Sequence, residues 1–169
     1  MSNVSEQLPS IEQARARITV AGAGPVGALL AVFLGRVGYQ VNLFESRADS
    51  RNASLYQGKS INISLSDRGW LALESVGIAD KIRQHAIPMY RRIMHAIDGS
   101  LTHQDYSSSS NNTDDTGNKQ AIWSVSRAGI NEQLLDLAEQ QPLVNILFEQ
   151  RLVGVDFQTA SATVETKAA

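Results

Sequence analysis

Three glycines and one glutamate in the first third of the chain have the spacing of a phosphate-binding turn. Gly22, Gly24 and Gly27 form the pattern Gly-x-Gly-x-x-Gly, and Glu45 ends the next apolar run. The first glycine permits a tight turn, the second lets a pyrophosphate approach the backbone, and the third lets a helix pack closely on a sheet. An acidic residue in the place of Glu45 accepts hydrogen bonds from ribose hydroxyls. These residues predict a site for an adenine dinucleotide.

The segments around these residues have the strand, helix and strand order that such a site requires. Residues 18–21 are apolar and partly β-branched, as in a buried parallel strand. We expect a helix over residues 25–37 with its first N–H groups aimed at the phosphates. Pro25 and Val26, at the start of this helix, are assigned to the cofactor-binding residues. Residues 41–44 predict the second strand. The alternative is a glycine-rich turn that only packs a βαβ unit, and the agreement of the glycines, the periodicity and the acid argues against it.

Composition restricts the class of protein. The chain has 169 residues, a net charge of −2 and no cysteine. The absence of cysteine excludes disulfides, thiolate metal sites and cysteine nucleophiles, and the mild acidity gives no reason to expect nucleic acid or an anionic membrane as a partner. No apolar run reaches the ~20 residues of a membrane-spanning helix, so we expect a soluble chain. Residues 1–17 predict a flexible N-terminal arm, and residues 18–169 predict one domain.

The remaining segments predict a mixed α/β protein. The strand-like segments are residues 59–65, 93–97, 122–125, 144–148, 152–157 and 163–166. Helices are expected after Ser66, over residues 80–85, and after Ser126 up to a stop before Pro142. Residues 107–119 are rich in Ser, Asn, Asp and Thr, which predicts a mobile loop. The three histidines are His85, His95 and His103. Their spacing is not that of metal ligands, so we predict no metal site and interpret them as polar or structural residues.

Several phrases in order resemble the N-terminal FAD-binding portion of the kynurenine 3-monooxygenases, a family of flavoprotein aromatic hydroxylases. They are the glycine pattern, residues 58–69 (Gly-Lys-Ser-Ile-Asn-Ile-Ser-Leu-Ser-Asp-Arg-Gly), residues 87–95 (Ile-Pro-Met-Tyr-Arg-Arg-Ile-Met-His), residues 124–127 with Asn131, and Arg151-Leu152. Many flavoproteins share the first phrase, whereas the second and third are more specific. The resemblance implies an α/β fold, namely an incomplete Rossmann-like FAD-binding βαβ sheet of the aromatic hydroxylase type with additional strands.

The resemblance also implies residues for the cofactor, FAD. Glu45 would hold the ribose, and Arg47 would contact the adenosine side. Ser64 and Arg127 match flavin-proximal positions, and Leu152 matches a residue that contacts FAD through its backbone.

Two further residues are implied for the substrate. Arg92 matches the arginine that binds the substrate carboxylate, and Tyr106 matches a tyrosine that hydrogen-bonds the same group. Arginine suits this role because its planar guanidinium pairs bidentately with a carboxylate. Arg91, on the opposite face of the same predicted strand, is the alternative to Arg92.

The implied reaction is the hydroxylation of L-kynurenine to 3-hydroxykynurenine with NADPH and O2, in tryptophan catabolism and NAD biosynthesis. No side chain is assigned as catalytic, because the flavin carries the chemistry. Full-length members are expected at the mitochondrial outer membrane. The second flavin fingerprint, most of the aromatic pocket and the membrane anchor of the family lie outside the 169 residues. We therefore expect a fragment that has little hydroxylase activity alone.

Other functions stay open on the sequence. A truncated, catalytically inactive nucleotide-binding or interaction module would keep only the βαβ unit. An NAD-dependent dehydrogenase is compatible with Glu45 but leaves the phrases at residues 58–69 and 87–95 unexplained. The substrate could also be a related amino-aryl acid, because the same arginine would bind its carboxylate.

Overall fold

The computed structural model describes residues 16–52, 61–106 and 121–166. The chain divides into two compact units, one formed by Met1–Lys59 with Ala128–Ala169 and the other by Ser60–Arg127. Most of the predicted N-terminal arm and the whole predicted loop at residues 107–119 lie outside the described residues, as do residues 59 and 60 of the predicted third strand.

Fourteen helices and strands are found in the described part of the chain. In chain order they are β1 (Arg17–Ala21), α1 (Pro25–Arg36), β2 (Gln40–Phe44), β3 (Asn62–Leu65), α2 (Asp67–Val76), α3 (Ala79–Arg83), β4 (Ile87–Met89), β5 (Arg91–His95), β6 (Leu101–Asp105), β7 (Ile122–Ser126), α4 (Arg127–Glu139), β8 (Val144–Leu147), β9 (Gln150–Asp156) and β10 (Ser161–Thr166).

The first unit contains a parallel sheet with the strand order β1-β2-β8. Val20 and Leu43 are directly opposite each other in register, and both are buried. Helix α1 covers this face closely, since a Cβ atom added to Gly35 would lie 2.8 Å from Cγ2 of Val144. The predicted strand–helix–strand unit is thus confirmed, and the apolar alternation of the strands supplies its core.

The other face of this sheet is polar. Thr19, Asn42 and Asn145 are in register across the three strands, and the first and last of them are exposed. Strands buried on both faces usually read as continuous apolar runs. The polar residues in the middle of these strands therefore distinguish this face from the apolar face under α1.

Helix α4 and an antiparallel hairpin complete the first unit. The helix buries Ile130, Leu134 and Leu135 and ends before Pro142, as predicted, because proline cannot continue a helix. Strands β9 and β10 pair with a register shift between Thr163 and Val164.

The second unit contains a sheet with the order β3-β7-β4, whose neighbouring strands are antiparallel. Helix α2 of the same unit buries Trp70. The ring of Trp70 contacts that of Trp123 edge to face, with 5.8 Å between the ring centroids. The guanidinium of Arg83 lies 4.4 Å from the centroid of Trp70, close enough for a cation–π interaction.

The second unit also contains the hairpin of β5 and β6, whose Asp98-Gly99 turn was predicted. Strands β4 and β6 were not predicted. The former is only three residues long and includes Pro88, which argues against a central strand from sequence. The helix cap at Ser66 is in the predicted place, but its side chain makes no capping hydrogen bond.

Candidate functional site

The geometry of the turn between β1 and α1 explains why two of its three positions require glycine. Gly22 has φ of +96°, which favours glycine, and its N–H donates to the carbonyl of Phe44 at 2.7 Å. A Cβ atom on Gly27 would lie 1.9 Å from the carbonyl oxygen of Gly22. Gly27 must therefore lack a side chain if the helix is to approach the first strand this closely.

Gly24 is different, because a Cβ atom at this position would meet no heavy atom within 4 Å. Its φ of −72° is also open to other residues. Packing within the chain therefore does not require glycine here, and the open space beside its backbone suits an approaching pyrophosphate.

The start of α1 offers N–H donors beside this space. The first residues of a helix have N–H groups without an intrahelical acceptor, and the helix dipole makes this end attractive to anions. Pro25 occupies the first helical position and has no N–H, so it fixes the backbone rather than donating. Val26, whose side chain is exposed, and Gly27 can donate.

Glu45 follows β2 directly, and its carboxylate is held against the turn. Oε2 accepts the Ala23 N–H at 3.0 Å, and Oε1 accepts the Arg47 N–H at 3.0 Å and lies 3.3 Å from Oγ of Ser46. The Glu45 side chain is 17% exposed. Because a carboxylate offers about four lone-pair sites, a ribose hydroxyl can still donate to it.

Backbone hydrogen bonds join the segment around Glu45 to the start of β9. The Glu45 N–H donates to Leu147, and the N–H groups of Gln150 and Glu149 donate to the carbonyls of Glu45 and Arg47. Leu152 follows in β9, where it pairs with Val164 next to the register shift between β9 and β10. The structure thus brings the glycine turn, Glu45, Arg47 and the strand that carries Leu152 to one end of the first unit.

The side chain of Arg47 is available to a ligand. It is 84% exposed, and its Nε lies 3.9 Å from Oε1 of Glu45. An exposed pair at this distance is weak, so little binding energy holds the guanidinium in place.

Arg51 fixes the segment that follows Glu45, a role that was not predicted from the sequence. Its guanidinium donates to both carboxylate oxygens of Asp49, and through Nη1 to Asp136 at 2.9 Å and Glu139 at 2.8 Å on α4. It also lies 5.9 Å from the ring centroid of Phe148. The hydrogen bonds from Arg51 lower the pKa of Asp49, and its carboxylate partners raise the pKa of Arg51. Two of these partners lie more than eighty positions away, so no local pattern could reveal them.

The predicted flavin-proximal residues lie in the second unit. Ser64 of β3 is directly opposite Ser124 of β7, and Asn62 donates to Oγ of Ser124 at 3.2 Å. The Arg127 N–H donates to the carbonyl of Ile61 at 3.2 Å, and its side chain is exposed. The cross-strand pairs place hydroxyl and amide groups on one face of this sheet.

The two arginines of β5 have different partners. Arg92 donates through Nε to Oε1 of Gln104 at 2.8 Å, and its Nη2 donates to the same oxygen. Arg91 pairs with the carboxylate of Asp105, with 3.4 Å between Nε and Oδ1. Tyr106 follows β6, donates its backbone N–H to Tyr90 at 3.0 Å, and falls by strand alternation on the side of Gln104.

Within the described ranges, His, Asp and Glu side chains form no group of three or more that could hold a metal ion. Every helix in these ranges falls short of the length and apolar character that crossing a membrane requires.

The family of FAD binding domains matches residues 15–169. The chain belongs to this family. FAD is therefore its cofactor, and the residues present fit the adenosine-diphosphate part of that molecule, because the turn leaves space beside Gly24 and fixes Glu45 next to it. The βαβ fold described above is the fold expected of an FAD-binding domain.

Curated relatives of this FAD-binding domain include kynurenine 3-monooxygenases. That of Myxococcus xanthus is 40% identical over 151 residues, which are 89% of this chain and 31% of the relative. That of Anopheles gambiae is 38% identical over 147 residues, 87% of this chain and 29% of the relative. The chain thus spans less than a third of the length of these relatives.

Solved structures with the same fold include two bacterial monooxygenases. The probable FAD-dependent monooxygenase PqsL of Pseudomonas aeruginosa has a TM-score of 0.64 and 21% identity, over 86% of this chain and 37% of that one. The p-nitrophenol 4-monooxygenase PnpA of Pseudomonas putida has a TM-score of 0.65 and 21% identity, over 83% of this chain and 34% of that one. At these identities the likeness shows the fold alone.

Proposed function

We propose that this chain forms the adenosine-diphosphate half of the FAD site in an NADPH-dependent monooxygenase that hydroxylates L-kynurenine to 3-hydroxykynurenine. The main observation in support of nucleotide binding is the hydrogen bond from the Ala23 N–H to the Glu45 carboxylate at 3.0 Å. It fixes a ribose acceptor beside a turn with room for a pyrophosphate. The names of the relatives support the substrate and the reaction.

The residues of the chain bind and orient the cofactor. The donors at the start of α1 would hold the pyrophosphate, Glu45 the ribose and Arg47 the adenosine side, while the backbone near Leu152 would contact the cofactor. Ser64 and Arg127 would lie near the flavin ring. The chemistry that FAD supplies when bound is electron transfer from NADPH and the activation of O2.

Arg92 is the better candidate of the two arginines for the substrate carboxylate. Its partner, Gln104, is a neutral amide, whereas Arg91 already faces the carboxylate of Asp105. An incoming carboxylate forms stronger, charge-assisted bonds than an amide oxygen and would replace Gln104. We propose Tyr106 as a second donor to the substrate carboxylate, since its predicted side of the hairpin is that of Gln104.

The first test is a calorimetric titration of the 169-residue chain with FAD, ADP and NAD. We expect binding of FAD and ADP with a stronger affinity for FAD. Tighter binding of NAD than of FAD would favour a dehydrogenase. Binding of none of the three, with the chain folded by circular dichroism, would contradict the proposal.

A catalytically inactive nucleotide-binding module is the second candidate, because the glycine turn and Glu45 would bind a nucleotide equally well without any reaction. Such a module would not discriminate FAD from ADP. The same titration therefore separates the two functions.

The role of Arg92 needs the rest of the substrate pocket. In a chimera that carries this chain in place of the matched segment of the Myxococcus enzyme, Arg92→Gln should raise KM for L-kynurenine by about 10-fold or more, because a charged hydrogen bond is lost. Arg91→Gln is the matched control and should change KM by no more than about two-fold. A larger effect of Arg91→Gln would reverse the assignment.

We also propose that the protein acts in tryptophan catabolism. A location at the mitochondrial outer membrane is proposed for a eukaryotic source only, since the relatives include bacterial proteins. Fractionation of the source cells with an antibody to this chain tests the location.

A further inference from the structure

One face of the β5–β6 hairpin includes the two residues proposed for the substrate carboxylate. The antiparallel ladder of the hairpin continues past β6, because the Tyr106 N–H donates to the carbonyl of Tyr90 at 3.0 Å. Alternate residues of a strand point to the same face of a sheet. The face that includes Arg92 therefore carries six exposed side chains, namely Tyr90, Arg92, Met94, Thr102, Gln104 and Tyr106. We call these six residues the Arg92 face.

Tyr90 borders both residues that would bind the substrate carboxylate. It lies between β4 and β5, two residues before Arg92, which corresponds to about 7 Å between the two Cα atoms. Across the ladder it is opposite Tyr106, and hydrogen-bonded antiparallel pairs have their Cα atoms about 5.5 Å apart. Tyr90 is 48% exposed. Its ring is therefore accessible to a ligand that Arg92 and Tyr106 hold.

An amino-acid substrate brings a second charged group to the same place. Its carboxylate and its ammonium group are attached to one carbon atom, so a carboxylate held by Arg92 and Tyr106 leaves the ammonium group beside them. The six residues of the Arg92 face include no carboxylate. Asp105 belongs to the opposite face, where its Oδ1 lies 3.4 Å from Nε of Arg91. An aromatic ring is then the strongest partner on this face, because its quadrupole attracts a cation.

The residues on the other side of Arg92 suit the ammonium group less well. Tyr106 is the second proposed donor to the carboxylate, so the carboxylate lies on the Tyr90 side of Arg92. Met94 and Thr102 are on the far side and offer a thioether, which is a weak acceptor, and a neutral hydroxyl. Because the hydroxyl of Tyr106 is assigned to the carboxylate, the ring of Tyr90 is the remaining partner for the cation.

We propose that Tyr90 is a specificity-determining residue whose ring binds the α-ammonium group of the substrate. This role rests on the proposed function, because it requires the substrate carboxylate at Arg92. The contact makes the site select an amino acid over the same carboxylic acid without its amino group. It is independent of the aryl group that the substrate carries.

Removal of the ring should affect two ligands differently when they differ only in the α-amino group. L-Kynurenine and its des-amino analogue share the carboxylate and the aryl ring. In the chimera with the Myxococcus enzyme, the change in flavin absorbance on titration without NADPH gives Kd for each ligand. We expect Tyr90→Leu to raise Kd for L-kynurenine by about 5-fold and Kd for the analogue by less than about two-fold. Tyr90→Phe keeps the ring and should leave both values within about two-fold of the unsubstituted chimera.

Met94→Ala is the matched control on the same face. Met94 is 42% exposed and lies two residues beyond Arg92, so its truncation should leave the ratio of the two Kd values within about two-fold. Three results would overturn the role of Tyr90. They are equal losses for both ligands in Tyr90→Leu, a loss in Tyr90→Phe as large as that in Tyr90→Leu, and a larger change of the ratio in Met94→Ala than in Tyr90→Leu.

Arg92→Gln distinguishes a failure of this role from a failure of the proposed function. It should raise Kd for both ligands by a similar factor of about 10-fold or more, because both carry the carboxylate. If it does so while Tyr90→Leu leaves the ratio unchanged, the role of Tyr90 is disproved and the substrate site at Arg92 stands. If Arg92→Gln changes neither Kd, the carboxylate binds elsewhere and both assignments are wrong.

Discussion

The Glu45 carboxylate has two roles that a single residue can combine. It accepts two backbone N–H groups, those of Ala23 and Arg47, and so orders the turn. It also remains open to a ribose hydroxyl, because those bonds do not use all of its lone pairs. Loss of its charge should therefore weaken nucleotide binding through both effects.

We predict that Glu45→Gln lowers the affinity of the chain for ADP by about 10-fold or more, since an amide has one acceptor oxygen where the carboxylate has two. Isothermal titration with ADP measures this. Glu149→Gln removes the same charge from a nearby exposed position and should leave the affinity within about two-fold. Equal losses in both variants would mean that only net charge matters.

Adding a methyl group at Gly27 should affect stability, whereas adding it at Gly24 should affect nucleotide binding. Gly27→Ala should destabilise the chain by about 2–3 kcal/mol or more, because its Cβ would overlap the carbonyl of Gly22. Gly24→Ala should change stability by less than about 0.5 kcal/mol, since no atom lies near its Cβ, but should weaken ADP binding. Urea unfolding and ADP titration measure the two effects. Unchanged ADP affinity in Gly24→Ala would place the pyrophosphate elsewhere.

At the scale of elements, Arg51 joins the loop after Glu45 to α4. One guanidinium bonds to carboxylates on the loop and on the helix, and the Arg51 side chain is only 19% exposed. Networks of this kind, partly shielded from water, are stronger than isolated surface pairs. These bonds of Arg51 therefore stabilise the loop that contains Arg47 and lies beside the proposed nucleotide site.

We predict that Arg51→Met lowers the free energy of unfolding at pH 7 by about 1–3 kcal/mol, because it leaves the Asp49 carboxylate without its partner. Arg47→Met removes an exposed arginine from the same loop and should cost less than about 0.5 kcal/mol. Urea unfolding of both variants makes the comparison. A loss in Arg47→Met as large as that in Arg51→Met would assign the effect to net charge.

The pKa of Asp49 predicts how this stabilisation depends on pH. Its pKa is lowered in the folded chain by the hydrogen bonds from Arg51. A carboxyl with a lowered folded pKa contributes stability above its unfolded pKa of about 3.9, and that contribution is lost as pH falls through the folded value. The stability difference between the native chain and Asp49→Asn should therefore be constant from pH 7 to about pH 5 and shrink below about pH 4. A difference that is independent of pH down to pH 2 would contradict this.

At the scale of the whole molecule, the segment matched by this chain makes up 29% and 31% of the length of the two curated relatives. A cofactor site that is built on one side leaves polar groups of the ligand without partners. We therefore predict weak FAD binding and little or no NADPH oxidation stimulated by L-kynurenine for the 169-residue chain alone. Stoichiometric FAD in the purified chain together with kynurenine-stimulated NADPH oxidation would disprove this.

Most of the fold was predictable because its signals are local. The alternation of apolar residues, the cap at Ser66 and the stop signal at Pro142 predicted the main helices and strands to within a few residues. Strand β6 was missed because its sequence, Leu-Thr-His-Gln-Asp, has one apolar residue and therefore no apolar alternation. Strand β4 was missed because it is short and contains Pro88.

The candidate site divides in the same way. The sequence by itself determined the glycine turn, the start of α1 and the acid at the end of β2, because a backbone torsion, a helix terminus and a strand end are set by neighbouring residues. Only the tertiary structure decided that Arg51 bonds to α4, that Arg92 faces an amide while Arg91 faces a carboxylate, and that Tyr90 lies opposite Tyr106. Each of these depends on residues that are distant along the chain and meet only when the strands and helices pack.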